Sequence, residues 1–221
     1  MTLVSKQSET ALLAQWQTAI TNTQAQKEIA AQTAKFGYDT KKMAAGQKLY
    51  EDTVKAWEQN KKEDRESRDA YQAFEKNYNQ LQKLYGEHRK KAKAKFRNQP
   101  EVQAKLKVVG RKAVAYHNLM QQMEQFYNVL TDAANAAIKK DLLMYNLTEK
   151  EITDTIELIE ATKKARTDYA REEGESQDAT QQKDKALGQM ENWMREYYAM
   201  AAIALKETPQ LLEAVGLYRK S

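Results

Sequence analysis

Between Tyr71 and Phe96 the apolar and aromatic side chains fall at Tyr71, Phe74, Tyr78, Leu81, Tyr85, Ala92 and Phe96, with His88 in the one gap. Steps of three and four place all eight on one face of an α-helix, the pattern of a helix packed against partner helices. Similar stripes run elsewhere. Leu12, Leu13, Trp16, Ile20, Ile29 and Phe36 predict a first helix, started by Ser8 as N-cap and stopped by Gly37 as the left-handed C′ residue. Tyr38 closes that stop, and Asp39 is placed to cap a second helix carrying Met43, Leu49, Tyr50, Val54 and Trp57. The run from Asn60 to Arg68 is polar throughout, so a turn is expected there, with Ser67 capping the helix of the opening stretch. Pro100 suits the first position of a new helix. Beyond it Val102, Leu106, Val109, Tyr116, Leu119, Met123, Phe126, Leu130, Ala134, Ile138, Leu142 and Tyr145 read as one helix, with Gly110 tolerated at about 1 kcal/mol. Asn146, Leu147 and Thr148 then repeat the roles of Gly37, Tyr38 and Asp39.

The pattern recurs 109 residues later. Residues 39–109 laid without a gap on 148–218 agree at 17 of 71 positions, including Leu49/Leu158, Glu66-Ser67/Glu175-Ser176, Asp69-Ala70/Asp178-Ala179 and Pro100/Pro209. Amphipathic helices of separate origin share a stripe, but not their polar residues and their proline in one register. The reading is a tandem repeat of a helical unit. Gly174, standing where the first copy has Arg65, supports the turn before Ser67 and Ser176.

Composition sharpens this picture. Seven glycines and two prolines in 221 residues leave few turns, hence few and long elements. With no cysteine, disulfides, thiolate metal sites and cysteine nucleophiles are excluded. Met1 to Leu13 has no basic stretch followed by an apolar run, and no window approaches eighteen apolar residues, so a cytoplasmic protein without a membrane span is expected. The net charge of +5 is uneven: residues 1–110 hold 21 Lys+Arg against 13 Asp+Glu, and residues 111–221 hold 15 against 18.

Catalytic signatures do not emerge. His88 sits on a core stripe where the second copy has Tyr197, and His117 has no carboxylate three or four residues away. Glu-x-x-His pairs, His-Glu-x-x-His, phosphate-binding glycine loops and nucleophile elbows are absent from the sequence. No catalytic residue, metal or cofactor is therefore assigned. Two segments remain as candidates for binding. Trp193, Met194, Tyr197, Tyr198, Met200, Ile203 and Leu205 make a helix apolar nearly all round, which predicts burial on more than one side, by the chain itself or by a second copy. Arg89, Lys90, Lys91, Lys93, Lys95, Arg97, Lys105, Lys107, Arg111 and Lys112 form a basic run with Glu101 as the one acid among them, suited to phosphates or an anionic surface.

The expected fold is all-α: antiparallel helical bundle units in tandem, 1–109 and 110–221, each with three long helices and a short fourth, separate or fused. The expected function is a non-catalytic scaffold or protein-interaction module, self-associating through the helix region 190–205. The alternative is polyanion binding, to nucleic acid or an anionic surface, through residues 89–112.

Overall fold

The computed structural model describes residues 8–217; the ends of the expected halves, 1–7 and 218–221, lie outside the described residues. Among the described residues the regular structure is helical throughout, with no strand. Helix α1 (Glu9–Ala25) opens at Ser8, whose hydroxyl accepts the Ala11 N–H at 3.3 Å. Helix α2 (Lys27–Ala34) follows after Gln26, whose backbone is extended. The single helix expected up to Gly37 is thus two. On a straight helix Ile29 and Thr33 would face roughly away from Trp16, Ile20 and Thr23. The break at Gln26 turns all five inward, and each is at most 2% exposed.

Gly37 takes φ +88, and the Tyr38 N–H returns to Thr33 O at 3.1 Å, a Schellman ending. Asp39 accepts the Lys42 N–H at 2.8 Å and starts α3 (Thr40–Lys95). This helix runs 56 residues without interruption, and the expected turn before Ser67 does not occur. In the same way α7 (Glu149–Ala204) passes through Gly174 and Ser176 as helix. No residue in either polar run forbids helix, and the polar side chains meet polar partners. Asn60 donates to Thr180 Oγ1 at 2.9 Å, and Ser176 donates to Asp64 Oδ1 at 2.7 Å.

Pro100 occupies the first turn of α4 (Pro100–Lys105). The long helix expected from there to Tyr145 is instead broken twice. Residues 106–115 form a loop in which Lys107 and Gly110 take positive φ, 53 and 69. Helix α5 (Tyr116–Thr131) then ends at Asp132. That carboxylate accepts Ala134 N–H and Asn135 Nδ2, both at 2.9 Å, and sets a 3-10 turn, Ala133–Asn135, ahead of α6 (Ala136–Leu143). Val109 and Tyr145, expected on the core stripe, are therefore 57% and 48% exposed. Asn146 stops α6 at φ 59, and Thr148 and Glu151 cap α7 reciprocally, each side chain accepting the other's backbone N–H. The last helix is α8 (Pro209–Ala214).

The chain forms two compact units: unit 1 comprises residues 1–64 and 174–221, unit 2 residues 65–173. This spatial division differs from the sequence halves 1–109 and 110–221, because α3 and α7 each contribute residues to both units. The core of unit 1 gathers Trp16, Ile20, Ile29, Tyr38, Met194 and Tyr197. The core of unit 2 gathers Leu81, Tyr85, Phe96, Met123, Phe126 and Ile152.

Candidate functional site

The apolar segment on α7 is largely consumed by unit 1. Met194, Tyr197 and Leu205 are at most 1% exposed, while Trp193, Tyr198 and Met200 are partly buried against the same core. Tyr197 lies edge-on to Tyr38 at 5.1 Å and shares a hydrogen bond with the Thr23 hydroxyl. Of the seven candidates, Ile203 alone remains largely exposed, at 54%. The covering helices α1 and α8 are tied together by Asn22 Nδ2 donating to Ala214 O at 2.6 Å. A concavity of about 330 Å³ in unit 1 touches Thr23, Ala30, Tyr38 and Met43, and its one carboxylate, Asp39, is already the cap of α3.

His88 is 1% exposed in unit 2, with Nδ1 at 2.8 Å from the Tyr127 hydroxyl. Burial lowers its pKa, with Lys91 adding to that and Glu151 and Glu87 opposing it; burial also raises the Tyr127 phenol. A buried imidazole hydrogen-bonded to a phenol is in the surroundings of a packed core side chain. Its sign is testable. Below the ordinary histidine pKa the unfolded chain binds a proton that the folded chain refuses, so stability is full above that value and falls as the pH drops through it. The urea midpoint should therefore be lower at roughly pH 5.5 than at about pH 7.5. His88→Tyr, the residue found at 197, should flatten the difference. His117 is exposed.

The basic run divides into two sets. On α3 the core face is drawn by His88, Ala92 and Phe96, and the flanking positions reach sideways. Arg89 Nη2 donates to Val108 O and Gly110 O, both at 2.9 Å, and Lys93 donates to Gly110 O at 3.2 Å. On the other flank Lys91 donates to Asn146 O at 2.5 Å, and Lys95 pairs with Asp141 at 3.2 Å. Arg89, Lys91 and Lys93 thus hold loop carbonyls at either side of α3, and Lys95 ties α3 to α6. The sequence showed no means of singling them out except their adjacency to the core positions. The other six, Lys90, Arg97, Lys105, Lys107, Arg111 and Lys112, are exposed.

Lys83, Lys90 and Arg97 recur every seven residues on the outward side of α3, where Lys83 and Lys90 line a groove of about 420 Å³. Its remaining walls are Gln82, Glu87, Arg89 and Lys112, with Lys112 Nζ donating to Gln82 Oε1 at 3.2 Å. Gly86 leaves the floor open: a Cβ there would meet no atom within 4 Å. The lining thus includes four cations and one carboxylate. The surplus charge of the chain is confined to the same unit, since unit 2 carries 21 Lys+Arg against 16 Asp+Glu and unit 1 carries 15 of each. Among the described residues no helix is long and apolar enough to cross a membrane. No protein-family model, no curated protein and no solved structure matches the chain.

Proposed function

We propose that this chain is a duplicated, non-catalytic helical interaction module that engages an anionic macromolecule through the basic face of unit 2. The duplication is supported by element bounds that repeat at one offset: α2 and α6, α3 and α7, and α4 and α8 each start and end 109 residues apart. The left-handed residues repeat at the same offset, Gly37 with Asn146 and Lys107 with Gly216. The observation that carries the binding role is the exposed set Lys90, Arg97, Lys105, Lys107, Arg111 and Lys112, of which Lys90 and Lys112 line the groove, in the one unit with net positive charge. The fold spends Arg89, Lys91, Lys93 and Lys95 on its own contacts, and Arg89 and Lys93 hold the loop that carries Lys107, Arg111 and Lys112. Self-association through 193–205 has less to draw on, because that segment is mostly covered by the chain that carries it.

The test is retention on immobilised heparin across a salt gradient, with the quadruple variant Lys105→Glu, Lys107→Glu, Arg111→Glu and Lys112→Glu. All four side chains are exposed, so helix content by circular dichroism should be unchanged. At about 1 kcal/mol per near-surface cation, affinity should fall on the order of 1000-fold. Wild-type retention should also weaken steeply with salt, as counterion release requires. A variant eluting with the wild type would remove the proposal.

A further inference from the structure

We infer that the anionic partner of unit 2 is a lipid bilayer surface, met by the 106–115 loop with its valines lowered between basic side chains. The inference rests on the polyanion reading and narrows it to one class of partner. Val109 is 57% exposed and lies between the exposed Lys107 and Arg111, and Val114 is 92% exposed and follows the exposed Lys112 by two residues. Single exposed valines on a protein surface need no explanation. What calls for one here is their place in the chain, next to these cations and on a loop that is firmly held. Leu106 and Val108 anchor the loop in the core of unit 2, both 0% exposed, and Arg89 and Lys93 bind its carbonyls. The valines therefore face outward on a braced backbone.

Nucleic acid would reward a different arrangement. Phosphodiester chains are gripped by cations together with rings on which bases stack. The rings within 82–115 are Tyr85, His88 and Phe96, each at most 1% exposed; Tyr116, just beyond, is packed against Phe74 and Tyr78, and the half-exposed Tyr145 is taken up by Lys95, whose ammonium lies 5.5 Å from its ring centre. Valines contribute nothing to a phosphate polymer. At an anionic bilayer, short apolar side chains enter the headgroup region while the flanking lysines and arginines meet lipid phosphates, so both kinds of exposed residue gain. The groove lined by Lys83, Arg89, Lys90 and Lys112 lies against the same loop and gives headgroup phosphates a concave cationic seat.

The experiment is co-sedimentation of the full chain with vesicles of phosphatidylcholine alone and of phosphatidylcholine with phosphatidylserine, run beside the heparin column. Pelleting is expected with the anionic vesicles and not with the neutral ones. Val109→Ser with Val114→Ser should weaken vesicle binding about tenfold and leave heparin retention unchanged. Retention on heparin without pelleting on anionic vesicles would overturn the inference and leave the polyanion reading standing. Binding to neither would overturn both. A valine variant that pellets like the wild type would overturn the inference as well, because charge alone would then account for the binding.

Discussion

Truncating Phe126 to alanine is expected to destabilise the fold by about 3–5 kcal/mol, the largest effect of any single change considered. The side chain is 0% exposed and sits where α5 meets α3, edge-on to Tyr85 at 5.6 Å and to Tyr127 at 5.1 Å. Removing the ring leaves a cavity bounded by other large side chains that cannot close over it, so the cavity cost adds to the lost transfer energy. Two edge-to-face contacts are lost as well, at roughly 0.5–1.5 kcal/mol each where they exceed simple burial. Domains are commonly stable by about 5–15 kcal/mol, so the variant should lose a large part of its margin. Urea unfolding followed by circular dichroism measures the loss. Val114→Ala is the matched control, because its 92% exposure predicts a change within about 0.5 kcal/mol. Similar losses in the two variants would contradict the packing of unit 2.

Gly46→Ala should destabilise unit 1 even though alanine is the better helix former. A Cβ at position 46 would lie 2.3 Å from Trp193 Cζ2 and 2.4 Å from Cη2. The indole has little room to retreat, being stacked on Tyr197 at 5.6 Å and set edge-on to Tyr38 at 5.5 Å, both at most 1% exposed. Overpacking of this kind costs about 1–3 kcal/mol, against a helix-propensity gain of about 1 kcal/mol. The discriminating measurement is the double-mutant cycle with Trp193→Ala. With the indole gone, the same glycine-to-alanine change should become stabilising by about 1 kcal/mol. If the sign stays the same in both backgrounds, the contact is not what makes position 46 glycine.

How much of this was legible depended on whether one residue or a partner decided the local structure. Ser8, Gly37, Pro100 and Asn146 act through their own chemistry, and each stands at a helix boundary in the fold. The burial of Leu81, Tyr85, His88, Ala92 and Phe96 followed from spacing alone. The polar stretch 60–68 misled, because a helix without an apolar stripe reads as one with nothing to pack against. There Asn60 and Asp64 meet Thr180 and Ser176, a pairing across sequence that no local pattern announces. The break at Gln26 involves neither glycine nor proline and left no mark. In the candidate site the cations were plain to see. Their division between engaged and exposed sets was not, and neither was the exposure of Val109, which three-and-four spacing had placed on a stripe.

Lys107 holds a backbone geometry that L side chains avoid at about 1–2 kcal/mol, at a place where Gly216 makes the corresponding turn without that penalty. A glycine at 107 would keep the bend and relieve the strain while deleting one positive tip from the patch. Torsional comfort and grip on an anion thus pull in opposite directions at a single position, and the chain as it stands gives up the first.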